Sequence, residues 1–263
     1  AKQHVTVVLS GDGGDELFFG YGSYVWSKRL SNPFIQLSRY PIASFLSKFS
    51  NKYRRAAELF RYEKDNIKKH IFSQEQYLFS RKEVDELLCK DQKDLIKCEI
   101  NTTRLLTPME EQALFDLKYY LPDDLLTKID RASMHYSLET RVPLLDHRII
   151  EFAINLSPEL KYKQNTSKYL LKKVLYQYIP ESYFERPKQG FSIPLQQWLK
   201  KELKYLIDIY LSDSILNKYK IVKTDKVSEL KRLFFNGQDY LYNRLWTLVV
   251  LHQWLEANNK NKS

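Results

Sequence analysis

Glycine is scarce in this sequence, and cysteine is scarcer. Only 7 of the 263 residues are glycine and 9 are proline, a balance that favours helices joined by short connections. The two cysteines, Cys89 and Cys98, have no CxxC spacing, which argues against a zinc site or a disulfide framework. No apolar run is long enough to span a membrane, and no signal peptide is recognisable. We therefore expect a cytoplasmic, mainly helical protein.

Acidic residues are outnumbered by basic ones, and the formal net charge is +10. Such a balance suits nucleic acid, an anionic membrane surface or anionic small substrates as partners. The positive charge, however, is spread along the chain as single lysines and Lys-Lys or Lys-Arg steps, without the dense basic run typical of nucleic-acid binding. We expect no nucleic acid and no membrane as a partner, and solvated helix faces account for most of the lysines.

Five of the seven glycines fall within the first 22 residues, in and just after a turn at 10–20. Residues 5–9 before it read as a short buried strand, and an apolar helix follows. Glycines let the backbone approach a ligand closely, and helix-start N–H groups favour negative charge. Asp12, Asp15 and Glu16 would repel a bare phosphate, so a divalent cation is needed between them, and the turn predicts a magnesium-nucleotide site. The alternative is a tight strand-to-helix turn with solvated acids.

Local signals predict where several helices begin. Residues 80–83 (Ser-Arg-Lys-Glu) and 107–110 (Thr-Pro-Met-Glu) match the capping box, the second with a proline at the first helical position. Pro122 is predicted to end the helix that starts at 108. Ser167 is expected to precede a further helix. The predicted buried stripe of that helix is Leu170, Leu171, Val174, Leu175 and Tyr178.

Two further segments, 130–146 and 186–191, mix charged with apolar residues. An enzyme that amidates a carboxylate must first transfer a nucleotide or phosphoryl group to it, which requires magnesium ligands and cations at the leaving phosphates. Lys188 could bind the charge of pyrophosphate. Arg131 or Arg141 could bind a carboxylate through two parallel hydrogen bonds. Structural ion pairs are the alternative explanation for these charges.

Four motifs in order resemble the signatures of the synthetase domain of glutamine-dependent asparagine synthetases. They are Ser-Gly-Asp-Gly-Gly-Asp-Glu-Leu-Phe at 10–18, Lys-Ile-Asp-Arg-Ala-Ser-Met at 128–134, Ser-Leu-Glu-Thr-Arg-Val-Pro-Leu-Leu-Asp at 137–146 and Arg-Pro-Lys-Gln-Gly-Phe at 186–191. The resemblance implies the C-terminal part of an α/β ATP-pyrophosphatase-type synthetase domain over residues 1–263. Within it, we expect a mainly α-helical chain with one or few short N-terminal strands.

The resemblance also implies an activity. The family uses ATP and Mg²⁺ to adenylylate the side-chain carboxylate of aspartate, and ammonia channelled from a glutaminase domain displaces AMP. The family's Ser-Gly-Gly-x-Asp-Ser loop does not occur in this sequence. We therefore expect a glutaminase domain upstream and a chain that binds MgATP weakly or not at all by itself. A homodimer is the oligomeric state that we consider.

The family's functional positions can be carried over to this sequence. Ser10 and Gly11 would contact the nucleotide, Asp15 would bind nucleotide-associated magnesium, and Asp12, a glutamate in some members, would act as general base on ammonia. The remaining matched positions are Lys188, at the reacting phosphorus, and Arg131 and Glu139, near the substrate.

Two other functions stay open at this point. Fold and motifs do not fix the substrate, so an amidotransferase of the same fold acting on another carboxylate, such as a sugar acid, is one alternative. A non-catalytic helical interaction module that keeps the signatures as structure is the other.

Overall fold

The structure, a computed structural model, describes residues 1–63, 67–90, 102–184 and 193–259. As predicted, these residues are mainly helical with a few short strands. The elements in chain order are β1 (Val7–Leu9), α1 (Gly14–Leu17), α2 (Gly22–Leu30), α3 (Pro33–Leu46), α4 (Asn51–Leu59), α5 (Ile67–Glu75), α6 (Arg81–Leu87), α7 (Pro108–Phe115), a π-helix (Asp116–Leu126), α8 (Thr127–Met134), β2 (Glu139–Arg141), α9 (His147–Asn155), α10 (Pro158–Lys161), β3 (Tyr162–Lys163), β4 (Thr166–Ser167), α11 (Tyr169–Leu175), α12 (Leu195–Lys200), α13 (Lys204–Tyr210), α14 (Asp213–Tyr219), α15 (Thr224–Phe235) and α16 (Tyr242–Asn259).

The chain divides into two compact units. One comprises Ala1–Gln36 and Cys98–Lys188, and the other comprises Leu37–Lys97 and Gln189–Ser263. The prediction that 1–263 form part of one synthetase domain stays a prediction. Among the described residues, no helix is both long enough and apolar enough to cross a bilayer.

The first unit is built around the β1–β2 pair and the helices that follow each strand. The two strands are parallel, with Val7 opposite Glu139 and Leu9 opposite Arg141. Phe19 and Tyr24 pack with Met109 at the start of α7. The packing is tied by a hydrogen bond from Ser27 Oγ to the carbonyl oxygen of Pro108 (2.9 Å). The unit therefore brings sequence-distant segments to the residues that follow β1.

The second unit has an apolar core formed by its C-terminal helices. Ile207, Phe234 and Leu245 are fully buried in that core. Arg244, on α16, is almost fully buried and donates two hydrogen bonds to the carboxylate of Glu83 on α6 (2.6 and 3.0 Å). A two-bond guanidinium–carboxylate pair fixes orientation as well as charge, so it sets the position of α6 against α16.

Both predicted capping boxes are confirmed. The hydroxyls of Ser80 and Thr107 accept from the backbone N–H groups three residues on, and Glu83 and Glu110 accept in return. The prediction at Pro122 is wrong, since that residue lies inside the π-helix and helical structure continues into α8. A π-turn widens the backbone, which accommodates the missing N–H and the ring of a proline.

The predicted buried stripe of α11 is also not found. The helix begins at Tyr169, close to the predicted start, but it contains no fully buried residue. Val174 is exposed by 48% and Tyr178, beyond the helix end, by 80%. Leu170 and Leu171 do pack against the cluster around Leu17 and Phe18, so only the N-terminal part of the predicted stripe contributes to this core.

Candidate functional site

The strand pair brings two of the sequence motifs together. The N–H of Ser10 donates to the carbonyl oxygen of Arg141 (2.8 Å), and the N–H of Glu139 donates to that of Thr6 (3.0 Å). Ligand sites in parallel α/β sheets lie beyond the carboxyl ends of the strands. The glycine-rich turn after β1 and the segment 142–146 after β2 both leave from that end, so this is where a ligand site is expected.

Gly13 is required by the packing of the turn. Its φ of 82° lies in the left-handed region, and a Cβ there would overlap the side chain of Leu145. Leu145 belongs to a short 3-10 helix, Pro143–Leu145, that follows β2. Part of the motif at 137–146 is therefore structural, because its Leu145 packs over Gly13 of the motif at 10–18.

Gly11 is in a different environment. Apart from its chain neighbours, no atom of the described residues lies within 4 Å of a Cβ built on Gly11. Packing within the described part of the chain therefore does not require glycine at this position. Open space beside a glycine at the strand end suits close approach of a ligand to the backbone.

Asp12 and Ser10 form a local pair at the tip of the turn. The Ser10 hydroxyl donates to the Asp12 carboxylate, and both residues are half-buried. This bond leaves the second carboxylate oxygen of Asp12 outside the pair. The Asp12 carboxylate is therefore oriented by Ser10, a residue of the same turn.

Asp15 is fixed by a contact that the sequence did not predict. Its Oδ1 lies 2.9 Å from Nζ of Lys168. Lys168 has a left-handed backbone (φ 55°) immediately before α11, and its N–H donates to the carbonyl oxygen of Phe18 (3.0 Å). A Cβ on Gly20 would overlap both the Asp15 carboxylate and the Lys168 side chain. Glycine at position 20 therefore makes room for this ion pair.

Glu16, the third acid of the turn, points into the core. It is 1% exposed, and its Oε1 accepts a hydrogen bond from the hydroxyl of Tyr21 (2.8 Å). Burial raises the pKa of Glu16 and also that of Tyr21. Asp12 and Asp15, in contrast, are partly exposed.

A buried lysine lies behind the turn. Lys161, at the end of α10, is 4% exposed, and its Nζ lies 5.0 Å from the ring centre of Phe19. Burial lowers the pKa of Lys161 to about 8. A small cavity beside it is also lined by Glu16 and Glu110. Lys161 and Lys168 show that the segment 158–168 supports the turn, which no sequence motif indicated.

The other predicted site residues have fewer contacts with the glycine-rich turn. Glu139 accepts a hydrogen bond from Nε of Arg141 (2.7 Å), and both side chains are mostly exposed. Arg131 lies on α8, which has no buried residue. Among the described residues, no hydrogen bond or ion pair joins Arg131 to the turn. Lys188 lies outside the described residues, as does the rest of the segment 186–191.

Asp146, the last residue of the 137–146 motif, caps a helix. Its Oδ1 accepts from the N–H of Arg148 (3.0 Å) at the start of α9. The side chain of Arg148 donates to the same carboxylate, and these hydrogen bonds lower the pKa of Asp146 to about 2. Asp146 therefore stabilises the start of α9.

The carboxylates near the turn limit how a metal could be bound. Within the described ranges, no group of three or more His, Cys, Asp or Glu side chains is placed to hold a metal ion. Magnesium at nucleotide sites is usually bound by one or two carboxylates together with substrate phosphates and water. Asp15, with its single carboxylate, fits that mode of binding and does not fit an all-protein metal cage.

The described chain is mainly helical, and the glycine-rich, carboxylate-bearing turn at the carboxyl end of its parallel strand pair is a candidate nucleotide site. The comparisons with known proteins name the family. Residues 1–256 match the family described as Asparagine synthase. The chain belongs to the asparagine synthase family.

Named relatives agree with this assignment. The chain is 29% identical to "Asparagine synthetase [glutamine-hydrolyzing] 1" of Bacillus subtilis (strain 168), over 98% of this chain and 41% of the relative. It is 27% identical to a putative asparagine synthetase [glutamine-hydrolyzing] of Mycobacterium tuberculosis (strain ATCC 25618 / H37Rv), over 97% of this chain and 40% of the relative. The chain thus spans about two fifths of these relatives' lengths. The search of solved structures gave no significant match.

Proposed function

We propose that the protein containing this chain is an ATP-dependent ligase that converts aspartate to asparagine in the cytoplasm. An oxygen of the aspartate side-chain carboxylate attacks the α-phosphorus of ATP, and the bond to pyrophosphate breaks. Ammonia derived from glutamine then attacks the acyl carbon, loses a proton and displaces AMP. The products are asparagine, AMP and pyrophosphate.

One observation carries the proposal. The turn with Asp12 and Asp15 and the segment after Arg141 leave the same end of a parallel strand pair, in a chain of the asparagine synthase family. Ligands of open α/β sheets bind beyond that end. The same observation supports assigning the first unit to an α/β ATP-pyrophosphatase-type domain, which is part of the proposal.

The nucleotide is assigned to Ser10, Gly11 and Asp15. The open space beside Gly11 supports approach of the ATP phosphates to the backbone. Asp15 would hold Mg²⁺ together with those phosphates, and the ion would neutralise charge on the leaving pyrophosphate. Lys168 fixes the Asp15 carboxylate and adds a cation within reach of the same phosphates.

The amidation step is assigned to Asp12. Its carboxylate is held by the Ser10 hydroxyl at the tip of the turn. A general base must lie within hydrogen-bond reach of the proton that it removes, and Asp12 is the turn's second accessible acid. Aspartate is one methylene shorter than the glutamate of some family members, so the acyl intermediate must approach the turn more closely here.

Three further residues complete the assignment by family position. Lys188 would stabilise charge at the reacting phosphorus. Arg131 and Glu139 lie on the elements that flank residues 135–138, on α8 and β2. We assign both to the aspartate side of the site, where Arg131 could bind a carboxylate through two hydrogen bonds.

Two half-reactions of the full-length protein test these roles separately. Aspartate-dependent exchange of labelled pyrophosphate into ATP reports adenylylation alone, and asparagine formation from ammonia reports both steps. Asp15→Asn should abolish both reactions. Asp12→Asn should keep exchange but reduce asparagine formation by about 100-fold, within the range typical of a lost general base. Asp146→Asn serves as a control, since that carboxylate caps α9.

The outcomes distinguish the alternatives. Normal exchange in Asp15→Asn would refute the metal assignment, and loss of exchange in Asp12→Asn would refute the role as base for the second step. Exchange that depends on a uronate and not on aspartate would identify an amidotransferase acting on a sugar acid. Absence of exchange with every carboxylate would favour a non-catalytic module.

A further inference from the structure

One long segment of the chain has no acidic residue. Asp and Glu are absent from Leu17 to Ala57. The same segment contains seven basic residues, which are Lys28, Arg29, Arg39, Lys48, Lys52, Arg54 and Arg55. A chain with 42 basic and 32 acidic residues would ordinarily interleave the two signs over such a length. This segment of the sequence therefore has a strong positive bias.

The part of this segment within the second unit also carries a row of exposed apolar side chains. We name this row the aromatic surface; its members are Leu37, Tyr40, Phe45, Phe49 and Tyr53. Leu37 is 86% exposed and Phe45 61%. Ala43 is the fully buried residue of α3. Contiguous exposed apolar side chains of this size mark an interaction site more often than a solvated surface.

Three rings of the aromatic surface, those of Phe45, Phe49 and Tyr53, pack against one another in sequence order. Phe45 and Phe49 have ring centres 5.0 Å apart, and Phe49 and Tyr53 have theirs 5.8 Å apart. The interplanar angles are 66° and 58°, so the contacts are edge-on or tilted. The row is thus partly ordered before any partner binds, which lowers the entropy lost on association.

Basic groups accompany the row. Lys48 is exposed between Phe45 and Phe49 in sequence. Nε of Arg54 donates to the carbonyl oxygen of Ser47 (3.3 Å), just beyond the C-terminal end of α3. The guanidinium of Arg39 lies 4.7 Å from the ring centre of Tyr40. Cations are therefore present along the row.

We propose that the aromatic surface binds the surface of an anionic lipid membrane. A helix that lies in the interface presents apolar and aromatic side chains to the acyl boundary and lysine and arginine to the head groups. Each basic residue near an anionic bilayer strengthens binding, and salt weakens it. The contact would be peripheral, and it departs from the expectation, drawn from overall charge spacing, that no membrane is a partner.

Other occupants fit the observations less well. A second copy of the chain would bring two lysine- and arginine-bearing segments together, which like-charge repulsion opposes. Nucleic acid binds to aromatic platforms through free ring faces, whereas Phe49 packs against a ring on each side. Leu37, the most exposed member of the row, has no aromatic ring on which a base could stack. An acidic protein surface is the remaining alternative, and it is decided by experiment.

The experiment is sedimentation of the full-length protein with vesicles. We expect binding to vesicles of equal phosphatidylglycerol and phosphatidylcholine, and at least about tenfold weaker binding to phosphatidylcholine alone. The double variant Leu37→Ser/Phe45→Ser should weaken binding to the anionic vesicles by about tenfold or more, because two exposed apolar side chains are lost. Lys48→Glu should weaken it with a reduced salt dependence.

The matched control is Tyr178→Ser/Tyr183→Ser, which removes two exposed aromatic residues of the first unit. It should bind anionic vesicles like the wild type. All these side chains are exposed, and unchanged thermal unfolding would show that the variants fold. Equal vesicle binding by Leu37→Ser/Phe45→Ser and wild type would overturn the proposal. A second result would also overturn it. In that result the wild type does not bind vesicles but binds single-stranded RNA or polyglutamate, and Leu37→Ser/Phe45→Ser loses that binding.

Discussion

The carboxylate of Asp15 lies 2.9 Å from the ammonium group of Lys168, and Gly20 leaves the space that this contact occupies. Asp15 belongs to the glycine-rich turn, whereas Lys168 belongs to a hairpin end far along the chain. The pair therefore couples the candidate magnesium ligand to a second segment of the first unit. Substitutions at Lys168 and Gly20 should consequently alter metal use before they alter the fold.

Gly20→Ala should displace the ion pair. The atoms that an alanine methyl group would meet belong to the side chains of Asp15 and Lys168, which can move without the backbone. We expect unfolding free energy to fall by about 1 kcal/mol, at the lower end for overpacking. The Mg²⁺ concentration needed for half-maximal exchange should rise about tenfold.

Gly11→Ala is the control for Gly20→Ala. Its stability should stay within about 0.5 kcal/mol of wild type, and the KM for ATP should rise instead. Unchanged magnesium dependence in Gly20→Ala would contradict this account.

Lys168→Met should separate positioning from folding. Loss of the ammonium group leaves Asp15 without this partner, so we expect exchange to fall about tenfold and to recover partly at high Mg²⁺. Lys168→Arg should retain more activity, because it keeps a cation near the carboxylate. Lys173→Met removes an exposed lysine of the same helix and should have no effect on exchange. A Lys168→Met protein with wild-type magnesium dependence would show that the ion pair does not position Asp15.

Lys161 predicts a pH dependence of stability. Its pKa is about 8 in the folded protein, because burial disfavours the charged amine, against an ordinary value of 10.5. The unfolded chain therefore binds more protons between these values, so stability should rise with pH from about 8 to 10.5. Lys161→Met should be more stable than wild type below pH 8, by on the order of 2 kcal/mol, and this advantage should shrink as pH rises. Urea unfolding of both proteins at pH 7, 8 and 9.5 measures this difference in stability. Lys163→Met, which replaces an exposed neighbouring lysine, is the control. An advantage independent of pH would mean that burial does not lower the pKa of Lys161.

Local features of the fold were predictable, and distant contacts were less so. The capping boxes at Ser80 and Thr107 depend on residues three apart, so the sequence alone places those helix starts. Pro122 misled the prediction because the sequence does not reveal a π-helix. The pairing of β1 with β2 depends on segments that are far apart in the chain, and the sequence did not predict it.

The same distinction applies to the site. Motif residues 10, 12 and 15 could be predicted because the turn gathers them within a few residues. Lys168 could not, since its role depends on a left-handed backbone and a hydrogen bond to Phe18. Leu145 belongs to a recognised motif, but only the structure explains it, as the residue that packs over Gly13.

The most direct test of the central claim is pyrophosphate exchange by the full-length wild-type protein. We predict that exchange of labelled pyrophosphate into ATP requires both aspartate and Mg²⁺, and that Asp15→Asn reduces it to background. Exchange that does not depend on aspartate, or that is unchanged in Asp15→Asn, would contradict the assignment of the glycine-rich turn to magnesium-ATP in an aspartate-activating ligase.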